Sequence, residues 1–236
     1  MKEIIFYPEY ERGKSELKWL KSNFSFSFAQ YYNPLRMWFW KLRVLNNDII
    51  IAGSWFWMHR HDNMEIITLP LSGSLTHRDS LGNNGTIYPS EVQSMSAGTG
   101  IEHSEMNTGE EDGEFFQIWI ETKDYDIVPQ YMQKKFSFEE RIWRWQLLAG
   151  PQKNSWNVLI HQDAFLSRTF LKSWESIEYT KYISSNEIYI MNISWAFSIE
   201  EKKLVYRDAL WLIGYETIKI ESIEESDILL IEVPFL

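Results

Sequence analysis

Residues 55–65 read Trp55-Phe56-Trp57-Met58-His59-Arg60-His61-Asp62-Asn63-Met64-Glu65, an aromatic run leading into a His-x-His pair. In an extended strand, side chains at i and i+2 project to the same face. His59 and His61 can then reach one ion. About forty residues on, Gly98-Thr99-Gly100-Ile101-Glu102-His103-Ser104-Glu105-Met106-Asn107 repeats the spacing with His103 and Glu105. If both strands line one barrel, three imidazoles and a carboxylate converge. Such an N₃O set suits Fe(II), and equally Mn, Ni, Cu or Zn. It would leave two positions open on an octahedral ion, enough for a substrate and dioxygen. The competing reading makes His59 and His61 hydrogen-bonded core residues and Glu105 a surface group.

The rest of the chain narrows these alternatives. It has 236 residues and no cysteine, so disulfides, thiolate metal sites and Cys nucleophiles are excluded, and nitrogen and oxygen must supply any metal ligands. With 16% aromatic residues it favours strands. The formal net charge of −10 disfavours direct nucleic-acid binding, while a basic protein partner is compatible with it. No apolar stretch approaches the roughly 20 residues that span a bilayer. The N-terminus, MKEIIFYPEYERGKSE, has no apolar core of signal-peptide length. A soluble, cytoplasmic protein is expected.

Short apolar-aromatic runs separated by turn signals predict strands over 37–44, 49–58, 65–71, 114–120, 187–193, 210–213, 217–220 and 228–233. Asp79-Ser80-Leu81-Gly82 followed by Asn84-Gly85 predicts a hairpin tip at 79–85, because Asn-Gly tolerates positive φ. Helical signals are few. A short helix is expected over 15–20, and helical turns over 128–135 and 138–143. Ser137 and Glu140 suggest an N-cap for the last of these. The polar stretch near 124–142 suggests a domain boundary, giving a first domain over 1–130 and a second over 131–236. The first half holds four of the five histidines and nine of the eleven glycines. The fold class expected is all-β, as two small barrels packed together.

Two longer strings carry a family resemblance: HRHDNMEIITLPLSGSLTHRDSLGNNG (59–85) and VQSMSAGTGIEHSEMN (92–107). His59-x-His61-x-x-x-Glu65, Gly73 and Gly100-x-x-His103-x-x-x-Asn107 look like the two cupin motifs. The fuller strings resemble the pirin branch of the cupins, which carries His-x-His, His-x-Asp-Ser-x-Gly-Asn and Met-x-Ala-Gly-x-Gly-x-x-His-Ser-Glu. FSFSFAQYYNP (24–34) resembles that family's entry segment, and FFQIWIE (115–121), IHQDA (160–164) and YRDALWLIG (206–214) match more loosely. The resemblance implies a bicupin of two jelly-roll barrels. Its first barrel holds a divalent metal, most often iron, on His59, His61, His103 and Glu105. Its second barrel has lost its ligands. Some relatives cleave the flavonol quercetin with dioxygen, and others act as redox-sensitive co-regulators through protein partners.

Two positions depart from the family pattern. Trp55 and Trp57 stand where glycines often flank the Phe. Strand parity puts both on the inward face with the histidines, as candidates for the wall of the substrate pocket. Arg60 replaces a proline and should point outward. Glu65 is expected beside the metal ligands, orienting an imidazole or acting as a base. Asn107 could donate a hydrogen bond to one of the metal ligands, but a strand-end turn role suits it better. His77 is expected to be a surface or structural histidine, and His161 a structural one. The function expected is an Fe(II)-dependent dioxygenase of an aromatic or enolic small molecule, with Glu105 or Glu65 taking the substrate proton. The alternative is a non-enzymatic, metal-dependent co-regulator. A structural zinc site is disfavoured, because such sites are usually closed and cysteine-rich.

Overall fold

The computed structural model describes residues 2–152 and 156–235. Nearly all of its regular structure is strand, as the composition predicts, and no helix among the described residues is long and apolar enough to cross a membrane. The chain forms two compact units. One takes Gly13–Phe136 with Gln152–Gln162, the other Met1–Arg12, Ser137–Pro151 and Asp163–Leu236. The N-terminal strand segment thus joins the unit formed mainly by the second half of the chain, and the short segment Gln152–Gln162 joins the other.

The first unit is built from two antiparallel sheets. The larger is ordered Gln130–Lys135, Glu91–Ser96, Met64–Ser72, Gly113–Glu121, Leu42–Ile50, Leu20–Phe24, Gly13–Glu16. The smaller is ordered Trp55–His61, Ile101–Met106, Leu75–Asp79, Asn84–Ile87. The last two form the expected hairpin. Its turn is held by Asp79, whose Oδ1 accepts the backbone N–H groups of Leu81 and Asn83 at 3.0 and 2.9 Å.

The second unit repeats the plan. One sheet runs Glu3–Tyr7, Ala209–Ile213, Asn186–Ser194, Ser226–Pro234, Phe165–Leu171, Gln146–Gly150. The other runs Ser176–Thr180, Thr217–Ser222, Phe197–Ile199, Lys202–Leu204. Thr217–Ser222 shows the period-two logic plainly. Ile218, Ile220 and Ser222 are buried while Thr217, Lys219 and Glu221 face solvent. Inside lies a closed apolar core that includes Ile188, Ile190, Leu210, Leu212, Ile220 and Leu230. Each such side chain contributes about 2 kcal/mol by leaving water.

Several expected elements shift. Residues 15–20 form no helix: Gly13–Glu16 and Leu20–Phe24 pair as antiparallel strands, and the second also pairs with Leu42–Ile50. Tertiary pairing overrides a weak local preference there. Gln130–Lys135 is likewise a strand, on Glu91–Ser96. One 3-10 turn, Glu139–Arg141, is all the helix formed over 138–143, and its N-cap is Phe138, with no side-chain cap. Ser137 donates instead to the Glu139 carboxylate. The strand expected over 49–58 is two strands, because Gly53, at φ +75°, turns the chain between Leu42–Ile50 and Trp55–His61.

Candidate metal centre

Strands Trp55–His61 and Ile101–Met106 are antiparallel neighbours, with His59 opposite His103 and His61 opposite Ile101. This register brings the imidazoles of His59, His61 and His103 together, with ring centroids 4.4 to 5.0 Å apart. Their ligand atoms lie within 4.8 Å of one another. Glu105 joins a second group through the shared His103, with His77 as its third member. The structure thus gathers the three predicted histidines and sets the predicted carboxylate beside His103.

The ring nitrogens show what the cluster lacks. His103 is 1% exposed, yet neither of its ring nitrogens has a hydrogen-bond partner, and the buried Nε2 of His61 has none either. A buried polar atom without a partner costs roughly 1–3 kcal/mol, so three in one cluster call for a ligand. His59 is already oriented. Its Nδ1 lies 2.8 Å from the carbonyl oxygen of Trp57. A carbonyl only accepts, so Nδ1 carries the proton and Nε2 keeps its lone pair. Burial, then the charges of His103 and His59, pulls the His61 pKa down to about 4. Burial, then His59 and His77, takes His103 to about 3. Both are therefore neutral near pH 7, the form that binds metal. The donor set fits a divalent ion.

The carboxylate is held as firmly. Gln117 Nε2 donates to both Glu105 oxygens at 2.9 and 2.8 Å, and the Thr68 hydroxyl donates at 3.3 Å. Gln117 lies on Gly113–Glu121, and parity puts Trp119 on the same face. The Trp119 ring meets His61 edge-on at 4.8 Å. Sequence reading missed both roles, although FFQIWIE carried the signal: a polar Gln alternating with aromatics on a buried strand. These residues line a cavity of about 280 Å³ together with Phe28, Asn46, Asp48 and Phe56.

Parity fails at Trp55 and Trp57. Glu105 pairs with Phe56, whereas His103 pairs with His59, so Trp57 and Met58 together oppose Ser104 alone. This β-bulge inserts one residue and exchanges the faces of everything before it. Phe56 turns inward, packing on Trp19 at 5.0 Å. Trp55 and Trp57 are 41% and 74% exposed, and of the two only Trp57 lines the cavity. Arg60 points outward as expected. Its guanidinium donates to Thr99 O at 2.9 Å and lies over Gly100, where an added Cβ would come within 2.2 Å of it.

Glu65 is not at the metal centre. On Met64–Ser72, Ile66 lines the cavity and Thr68 reaches Glu105, so Glu65 projects from the opposite face. It is buried, accepts from the Ser96 hydroxyl at 2.6 Å, and is held above the usual carboxylate range by burial. His161 lies near it. His77 is buried rather than at the surface. Gln93 Nε2 donates to its Nδ1 at 3.3 Å, and its Nε2 donates to Asp79 Oδ2 at 3.0 Å. With both nitrogens engaged, His77 braces the cluster and offers no free lone pair. Asn107 serves the turn, donating to the carbonyls of Ile50 and Glu111 and accepting from Gly109 N–H.

Comparison with known proteins agrees with this geometry. The Pirin family model matches residues 7–120, and that of the quercetinase C-terminal cupin domain matches residues 147–233. A protein of Escherichia coli K12 named quercetin 2,3-dioxygenase is 36% identical over 226 residues, covering 95% of this chain and 96% of its own. A pirin-like protein of Caulobacter vibrioides is 34% identical over 226 residues, covering 95% and 97%. The crystal structure of bacterial pirin YhhW from E. coli in complex with nickel(II) superposes with a TM-score of 0.93 at 35% identity, covering 99% of this chain and 100% of that one. Likeness of this extent goes beyond a shared barrel: this chain belongs to the pirin family.

Proposed function

We propose that this protein is a metal-dependent dioxygenase of the quercetin 2,3-dioxygenase type, acting on an aromatic or enolic small molecule. The observation that carries this reading is the set of buried, unpartnered imidazole nitrogens of His61 and His103 at an aromatic-lined cavity of about 280 Å³. Relatives named quercetin 2,3-dioxygenase support the reaction class. His59, His61 and His103 hold the metal, and Glu105 supplies the carboxylate. Fe(II) is our assignment, and nickel, which the E. coli pirin carries in its complex, is the first alternative.

A bound divalent ion supplies Lewis-acid chemistry toward a substrate oxygen and a place for dioxygen beside it. The protein does the rest. Phe28, Phe56 and Trp119 present flat apolar walls that exclude water and orient an aromatic ring. Glu105 accepts the proton of the substrate hydroxyl, while Gln117 keeps the carboxylate from rotating away. Glu65, on the far face of its strand, takes no part.

The test is oxygen uptake by anaerobically Fe(II)-loaded and Ni(II)-loaded protein given quercetin. Uptake should be saturable, lost in His103→Ala and kept in Glu65→Gln. No uptake in protein holding one metal ion per chain, across a panel of phenols, would end the dioxygenase reading.

A further inference from the structure

The bulge that turns Trp55 and Trp57 away from the metal also shapes the other side of their sheet. Trp55, Trp57, Met58, Arg78, Ser104 and Met106 border a groove of about 420 Å³ there; Glu105 borders it as well, with its carboxylate held by Gln117 on the cavity side. A volume in the range of roughly 300–1,000 Å³ is typical of small-molecule sites. We propose that this groove binds a planar aromatic carboxylate, outside the metal cavity.

Three observations carry this. The first is the aromatic wall. The Trp55 and Trp57 rings meet edge to face at 5.1 Å and hold large apolar surfaces toward solvent. One exposed aromatic needs no explanation, but two together at a concave site do. Met58 and Met106 add polarisable, adaptable surface to the same groove.

The second is charge. Arg78 is exposed, and among the described residues no carboxylate pairs with it. A guanidinium presents a planar fork that matches a carboxylate in two parallel hydrogen bonds. With a net charge of −10 the protein repels anions on average, so an anion settles only where an unpaired cation stands. The third is the register. Ser104 is opposite Arg78 in the ladder between Ile101–Met106 and Leu75–Asp79, which sets its hydroxyl beside the guanidinium on the outward face. A ring lying against the indoles would thus place its carboxylate at Arg78 and Ser104.

The site has a position that matters. Trp57 borders both the groove and the metal cavity, and its carbonyl fixes the proton on His59 Nδ1. A ligand in the groove therefore touches the residue that orients a metal-binding imidazole. The proposal stands apart from the dioxygenase reading, since it needs neither metal nor turnover.

The experiment is calorimetric titration of the full-length protein with 2-naphthoate, with the neutral 2-naphthylmethanol as control. Indole N–H resonances are followed in parallel. Saturable 1:1 binding is expected, weakened at least about tenfold in Arg78→Gln and weakened also in Trp55→Ala. The Trp55 and Trp57 resonances should move and Trp119 should not. Arg78 is exposed, so its loss should not disturb folding. The proposal is overturned if Arg78→Gln binds as wild type does, if the neutral analogue binds as tightly, if Trp119 reports the ligand instead, or if no saturable binding occurs.

Discussion

The two barrels put the same fold to opposite uses. In the first, the interior side chains at the centre of the smaller sheet are His59, His61, His103 and Glu105, and two of the imidazoles leave buried nitrogens without partners. In the second, the interior is packed with Ile188, Ile190, Leu210, Leu212, Ile220 and Leu230. Two of its buried charged groups are fully engaged by neighbours. Arg168 donates twice to Asp227, at 2.7 and 2.6 Å. Glu232 accepts from the Tyr179 hydroxyl, from Asn186 and from the backbone of Tyr182 and Ile183. A barrel whose unpartnered buried atoms, such as Gln146 Oε1, Ser167 Oγ and Asn192 Oδ1, include no imidazole or carboxylate gathers no set of metal ligands among the described residues. One that leaves nitrogens unpaired accepts a cost in stability and keeps a binding site.

Three predictions would break or sharpen this contrast. The largest effect is expected from paired truncations. His103→Ala should weaken metal binding by upward of about 100-fold while leaving the metal-free fold as stable or more so, because two unpartnered nitrogens go with it. Leu230→Ala should do the reverse, costing about 3 kcal/mol of stability with metal affinity unchanged. Denaturant unfolding and metal titration of both variants decide the matter. Equal effects on both properties would dissolve the division of labour.

A smaller effect should follow from Gln117→Leu. It removes the donor that both Glu105 oxygens share and leaves the three histidines in place. Metal affinity should drop by about 10- to 100-fold, less than the loss expected for His103→Ala. An unchanged affinity would take Glu105 out of the site.

The smallest effect concerns pH. In the metal-free protein, burial holds His103 down to about 3 and His61 down to about 4, below the ordinary histidine range. An unfolded chain binds protons on these residues from about pH 6.5 downward, whereas the folded one does not. Stability should therefore fall with pH between about 6.5 and 4, at about 1 kcal/mol per pH unit from His103. It should be flat in this respect above 6.5. The slope should shrink in His103→Ala, as thermal unfolding across the range would show. A slope undiminished by this substitution would place its origin elsewhere in the chain.

Much of this protein could be read without its structure. The absence of cysteine, the aromatic runs and the short spacing of turn signals pointed to an all-β chain with a nitrogen and oxygen metal site. The two i, i+2 pairs picked out the three histidines that the fold gathers into one cluster, because strand parity is a local property and holds within an unbroken strand. Parity failed where the strand was broken. The bulge at Trp57 and Met58 exists only because Trp55–His61 must pair with Ile101–Met106, a partner some forty residues away. Nothing local in WFWMHRH says that Phe56, not its tryptophan neighbours, will face the metal. The face on which Glu65 lies, the burial of His77, and the grip of Gln117 on Glu105 were beyond local reading for the same reason. Each depends on which distant strand becomes a neighbour and in what register, and only closure of the barrel settles that.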